Sequence, residues 1–302
     1  MLFRINLINP NRVTTAISAM AIALSLAACG GGSTTTGSSP TPGAASPGAA
    51  PVAAANTKLA LTSDVAITAA GASFPAPLYQ RWFQDFNKIN PKVQINYQSV
   101  GSGAGVEQFT KGTVDFGASD TAMKDDEIAK VPADKGVLLL PMTAGSIVIG
   151  YNLPDVPELK LPRDVYPEIF QGKITKWNDP KIAAANPGAK LPDQAITIVH
   201  RSDGSGTTAV FTKHLSAISP DWKTAVGDGK TVQWPVGVGA KGNEGVTAQI
   251  LQTAGSIGYI EYGYAKNNNV KFASLQNKAG SFVAPTDESA SKALATVPLP
   301  EN

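Results

Sequence analysis

Val65-Ala66-Ile67-Thr68-Ala69-Ala70-Gly71-Ala72-Ser73-Phe74 reads as an extended apolar segment that runs into a turn of small residues. The next stretch has a different period. Pro77 to Asn90 places Leu78, Trp82, Phe83 and Phe86 at helical spacing and stops at Asn90-Pro91. Val93-Gln94-Ile95-Asn96-Tyr97 alternates as a strand, Gly101 to Gly105 is a glycine loop, and Val106 to Lys111 begins another helix. Val114 to Asp120 is a short strand with its exit turn. Strands alternating with helices predict an α/β fold with a largely parallel sheet.

The same grammar recurs further along. Val137 to Met142 and Ser146 to Tyr151 are apolar strands, Ile196 to Val199 is another, and Ser256 to Ile260 reads as a buried one. Between them Arg201-Ser202-Asp203-Gly204-Ser205-Gly206-Thr207 leads into a helical stretch from Thr208 to Leu215. No repeat of fixed period is present. With 302 residues, one large or two medium domains are expected. The reading is of two lobes, residues 58–140 and 141–302.

The N-terminus differs in composition. Arg4 and Arg12 precede an apolar run from Ala16 to Ala28 that is too short to span a bilayer, the pattern of a secretory signal over residues 1–28. It ends in Leu26-Ala27-Ala28-Cys29-Gly30, which resembles a bacterial lipobox. That resemblance implies lipidation of Cys29 and a protein exported to the periplasm or cell surface. Residues 29–57 are almost entirely Gly, Ser, Thr, Pro and Ala, which bury too little apolar surface to order themselves and read as a flexible tether. Cys29 is the only cysteine, so no internal disulfide is possible. Two of the 25 basic residues lie in the leader, which balances the rest against the 23 acidic ones. No Lys/Arg run forms a polybasic patch, which argues against nucleic acid as a partner. An anionic ligand would be held by local dipoles and not by the global field.

Three segments share a strand, a turn of small hydroxyl and glycine residues, and a helix: Gly71 to Phe74, Gly101 to Gly105 and Asp203 to Thr207. Glycine lets a backbone approach a ligand, a helix N-terminus presents unpaired N–H groups, and Ser and Thr add donors. Each turn alone is more often a helix cap with no ligand. Arg201 offers a planar fork for two oxygens, and Asp203 could steady that fork, although such a pair also occurs as a surface ion pair. Asp120 reads by itself as a cap or turn residue.

Taken in order, these runs resemble the phosphate-binding proteins of the high-affinity phosphate ABC transporter, the PstS family. The matching stretches are Gly71 to Pro77, Tyr97 to Val106, Val114 to Asp120, Gly172 to Asp179, Arg201 to Phe211, Gly237 to Gly245 and Ile257 to Tyr262. The resemblance implies a two-lobe periplasmic-binding-protein type fold that closes on phosphate by a hinge. It implies that Ser73, the Phe74 backbone and Ser102 donate from the first lobe, and Arg201, Ser205, Gly206 and Thr207 from the second, with Asp203 orienting Arg201. It also gives Asp120 a role. An ionised carboxylate only accepts, so beside an anion it helps only if the ligand has a proton to donate, as hydrogen phosphate does and sulfate does not. Implied partners are phosphate and the permease of an ABC transporter, with the membrane reached through the lipid anchor, in a monomer without cofactor. Members of the family usually continue well past residue 302, so the first lobe is expected to be truncated at its C-terminal part. Ser73 stands where Thr is common, and Gly103-Ala104 where Ser-Gly is usual.

Other functions fit less well. Gly237-Val238-Gly239-Ala240-Lys241-Gly242 satisfies a dinucleotide pattern, with Glu261 about 20 residues on. It follows Trp234-Pro235-Val236, however, and proline makes a poor core strand. A helix N-terminus supporting the hinge is the better reading. Ser205 lacks the nucleophile elbow of a hydrolase, and His200 and His214 stand without the acidic cluster a metal site needs. No enzyme activity and no metal are expected. A binding protein for another oxyanion or small acid, and a signalling or adhesion lipoprotein, remain as alternatives.

Overall fold

A computed structural model describes Leu2–Ile5 and residues 58–296. The predicted tether and Cys29 lie outside the described residues. The first sheet is built from β1 (Leu2–Ile5), β2 (Val65–Gly71), β3 (Val93–Ser99), β4 (Phe116–Ser119) and β5 (Leu140–Pro141), in the order β3-β2-β4-β1-β5. β2 lies between β3 and β4 and is parallel to both, with Gly71 opposite Ser99 on one side and Ala118 on the other. The three strands therefore end together. Helical crossovers explain this, since Ala76–Ile89 joins β2 to β3 and Ser102–Thr110 joins β3 to β4. Leu2–Ile5, within the stretch read as a leader, runs antiparallel between β4 and β5.

The second half contains β6 (Ile147–Tyr151), β7 (Lys160–Leu161), β8 (Thr197–Arg201), β9 (Val238–Ala240), β10 (Ser256–Glu261), β11 (Lys271–Phe272), β12 (Ser274–Gln276) and β13 (Phe282–Val283). Its main sheet has the order β11-β6-β10-β8-β9, and β13-β12-β7 form a small third sheet. β8 is parallel to β10 and β9, whereas β6 is antiparallel to β10 and β11. Both main sheets are thus mixed, where the strand–helix alternation predicted largely parallel ones. In the two main sheets, parallel pairing falls among strands that follow one another through helical crossovers. β6 meets β10 across a long sequence separation, and nothing local fixes its direction.

Cores differ in size between the halves. The second buries Trp177, Trp222, Phe170, Ile169, Leu161, Leu215 and Tyr259 in one cluster. The indole N–H of Trp177 donates to the Gly255 carbonyl at 2.9 Å and that of Trp222 to Gly227 at 2.8 Å, so neither polar edge is buried without a partner. The first half has a smaller cluster of Ala69, Tyr79, Phe116 and Ala118, with Phe83 and Tyr97 packed against it. Tyr79 meets Tyr97 edge-on at 5.3 Å. Each large side chain so buried contributes about 1.5–3 kcal/mol.

Two local readings need correction. Ser102 to Gly105 is not a loop, because the helix begins at Ser102 and runs to Thr110. The apolar run from Val137 to Met142 supplies only the two-residue β5, whose Pro141 has no N–H for a longer ladder.

Candidate functional site

The parallel ends of β2, β3 and β4 deliver Ser73, Ser102 and Asp120 to one edge of the first sheet. On the other side β8 ends at Arg201, and the helix Gly206–Ile218 starts beside it with Ser205 as its cap. These two carboxyl edges face each other and touch. Gly103 N–H donates to the Gly204 carbonyl at 2.7 Å, with no side chain on either residue.

Ser73 is 1% exposed. Its Oγ accepts from the Asn243 backbone N–H and from Asn243 Nδ2, each at 3.0 Å. Its carbonyl accepts from the Tyr264 hydroxyl at 2.7 Å. Ser102, equally buried, accepts at Oγ from Asp120 N–H at 3.3 Å and from Gly206 N–H at 3.1 Å. In both serines two N–H groups occupy the hydroxyl's two lone pairs, leaving only the proton to offer.

Asp120 Oδ2 accepts from Thr207 Oγ1 at 3.3 Å, while Oδ1 is sealed from solvent with no hydrogen-bond partner. Burial pushes its carboxyl up to about 7, against the opposing pull of the Arg201 charge and the Thr207 hydroxyl. Gly206 lies against this group. A Cβ there would come within 2.5 Å of Asp120 Cβ and 2.7 Å of Ser102 Oγ, so only glycine allows the approach.

Arg201 is 4% exposed, and its guanidinium grips the Asp203 carboxylate with two donors, Nε to Oδ1 at 2.7 Å and Nη2 to Oδ2 at 2.5 Å. Asp203 Oδ1 also accepts from Gly242 N–H at 3.1 Å. Burial alone would raise the Asp203 carboxyl. The hydrogen bonds and charge of Arg201 outweigh it and hold the group below the ordinary range. Three of Arg201's five donors are not used in this pair. Ser205 Oγ caps the helix by accepting from Thr208 N–H at 3.0 Å. Phe74 lines a cavity of about 460 Å³ together with Asp120, Thr207, Ile147 and Phe211.

The structure therefore brings Ser73, Phe74, Ser102, Asp120, Arg201, Ser205, Gly206 and Thr207 together where the two sheet edges meet, with Asp203 bracing the arginine; of these Phe74, Asp120 and Thr207 line the cavity. The Gly206 N–H, expected to face a ligand, is donated to Ser102 Oγ. Sequence reasoning passed over three residues that hold the cleft together. Asn243 follows Gly242 at the start of the helix Gly242–Gln252, inside the segment read as a hinge support. Tyr264 opens its hydroxyl to Ser73. Lys230 reaches across to Glu127, with Nζ at 2.9 Å from Oε1 and 3.2 Å from Oε2. The two histidines are packing residues: His200 stacks on Trp234 at 4.9 Å, and His214 stacks on Tyr166 and shares a 2.7 Å hydrogen bond with its hydroxyl. Among the described residues no His, Cys, Asp and Glu cluster could hold a metal, and no helix is long and apolar enough to cross a membrane.

Two α/β halves meeting at the carboxyl edges of their sheets make a periplasmic-binding-protein-like fold, and residues 33–302 match the family model described as PBP superfamily domain. The chain is 52% identical over 225 residues to the phosphate-binding protein PstS of Pasteurella multocida, covering 74% of this chain and 64% of that one. It is 36% identical over 279 residues to the phosphate-binding protein PstS3 of Mycobacterium bovis, covering 89% and 71%. A putative phosphate ABC transporter substrate-binding protein from Clostridium perfringens, solved with bound phosphate, shares the fold with a TM-score of 0.60 at 20% identity, over 77% of this chain and 83% of that one. The chain belongs to the PstS family within the PBP superfamily. It spans somewhat less than two thirds of the length of the Pasteurella relative.

Proposed function

We propose that this chain captures inorganic phosphate between its lobes and presents it to the membrane subunits of an ABC importer, without covalent chemistry. The observation that carries the reading is the Asp120 carboxylate. Once ionised, above about pH 7, it is a buried acceptor oxygen without a partner, and is matched by an oxyanion that still has one proton to give. Hydrogen phosphate supplies acceptor oxygens to Ser73, Ser102 and Arg201 and a donor to Asp120 Oδ1, while the Thr207 proton steadies Asp120 Oδ2. Sulfate supplies only acceptors and leaves Oδ1 facing like charge. The names of the relatives, phosphate-binding proteins, support the same ligand. Arg201, braced by Asp203, meets the net charge, and neutral donors do the rest.

The lobes close by a hinge around the dehydrated ion. The chain acts outside the cytoplasm as a monomer, tethered by a lipid on Cys29 and the segment behind it, which Cys29→Ala would release from the membrane fraction of expressing cells. Calorimetric titration with phosphate and then sulfate tests the central claim. Phosphate binds and sulfate does not, and Arg201→Ala weakens phosphate by about 2 kcal/mol or more, the cost of removing a buried charged partner. A folded protein that binds neither ion, or an Arg201→Ala variant with unchanged affinity, sinks the reading.

A further inference from the structure

We infer that Asn243 is a positioning residue that sets the hydrogen-bond polarity of the cleft by converting the Ser73 hydroxyl into an obligate donor; this rests on the phosphate reading above. The geometry leaves the amide no freedom. Glu261 N–H donates to Asn243 Oδ1 at 3.0 Å, so Oδ1 must face β10 and the NH₂ group must face the cleft. From there Nδ2 reaches Ser73 Oγ at 3.0 Å and Thr207 Oγ1 at 3.3 Å. The Asn243 backbone N–H, at the open end of its helix, adds a second bond into Ser73 Oγ. Asn243 is 0% exposed, so no water competes for these bonds.

A hydroxyl has one proton and two lone pairs. With both lone pairs of Ser73 filled from Asn243, its proton is the only thing left to offer. Thr207 is fixed in a different sense: it accepts from Asn243 Nδ2 and gives its one proton to Asp120 Oδ2, so it steadies the carboxylate. A chain of donors thus runs from Glu261 through Asn243 to the Ser73 hydroxyl, and on a second branch through Thr207 to Asp120. An oxyanion presenting bare oxygens satisfies it, whereas a ligand presenting a hydroxyl or N–H to Ser73 meets a donor facing a donor. A neutral, adaptable serine becomes selective without any charge being spent.

The test is a set of double-mutant cycles read by calorimetric titration with inorganic phosphate, with thermal melts of the phosphate-free proteins alongside. Ser73→Ala and Asn243→Ala each weaken phosphate about tenfold or more. Their double variant binds about as the weaker single one does, because removing the positioning group matters only while the hydroxyl is present. Asn243→Ala combined with Ser205→Ala multiplies instead, since Ser205 Oγ bonds Thr208 and not Asn243. A merely structural Asn243 would give the same non-selective loss in both cycles. Multiplying effects of Ser73→Ala and Asn243→Ala overturn the inference, as does an Asn243→Ala protein that binds like wild type. If Asn243→Ala does not fold, Ser73→Ala alone decides: unchanged phosphate affinity removes Ser73 as a donor and the inference with it. Wild-type protein that is folded and ignores phosphate fails the functional reading, a result distinct from any of these.

Discussion

In Asp120→Asn the carboxylate becomes an amide of nearly the same shape, which separates its charge from its volume. The carboxyl stands at 3.8 in an exposed chain and is raised to about 7 in the folded cleft, chiefly by burial. A raised carboxyl means that folding favours the neutral form. The stabilisation is fully present below the unfolded value and is lost as pH rises through the folded one. Roughly three units at about 1.4 kcal/mol each give about 4 kcal/mol between the two limits, an upper figure that relaxation of the cleft around the ionised group lowers. Asparagine does not titrate. Urea unfolding of phosphate-free wild type and variant, from about pH 4 to about pH 8, should show wild type losing stability relative to the variant as pH rises. Parallel pH profiles would refute the argument, because they would mean that Asp120 is hydrated in the folded protein. The same variant has an amide N–H where Oδ1 stood, so it should accept sulfate. An Asp120→Asn protein that still ignores sulfate removes Asp120 from the discrimination.

Gly206→Ala places a methyl 2.5 Å from Asp120 Cβ, so the lobes cannot reach the same closure. Overpacking of about 1–3 kcal/mol corresponds to phosphate binding weaker by up to about a hundredfold, with the melting temperature unchanged or higher because alanine favours the helix; unaltered affinity contradicts the closed geometry. Lys230→Met breaks the ion pair to Glu127 that links the lobes, whose side chains are 16% and 20% exposed. At about 1 kcal/mol for a partly screened pair, phosphate release in a stopped-flow experiment should quicken about fivefold, and the difference should shrink in high salt. Equal release rates would mean that the pair does not hold the closed state.

What could be read from the sequence was local. The apolar alternation of Val65–Gly71 and the helical spacing of Leu78, Trp82 and Phe83 are properties of short stretches, and both elements stand where periodicity put them. Turn chemistry brought out Ser73 and Arg201–Thr207 only as candidates, because small residues at strand ends also cap helices, and Asp120 gained its role from the family resemblance. Asn243 was not legible, since its role depends on meeting Ser73 from 170 residues away. Lys230 and Glu127 are 103 residues apart and looked like any surface charges. The glycines at 103 and 105 were misread for a physical reason. They lower helix propensity, which argued for a loop, yet they sit in the helix where backbones pass closely, Gly103 by Gly204 and Gly105 by Gly71. Packing set those positions and overrode propensity. The antiparallel direction of β6 was likewise invisible, because no crossover helix joins it to β10.

The bond from Gly103 to Gly204 has a consequence for the speed of capture. Most contacts formed when two surfaces meet must first quiet side chains, at about 0.5–1.5 kcal/mol for each long one immobilised. Here main chain meets main chain, 2.7 Å from nitrogen to oxygen, and there is no rotamer to freeze on either side. The first touch between the lobes can therefore form and break without waiting for any side chain to find its place, and the slower ordering of the serines, Asp120 and Arg201 can come after it on surfaces already held in register.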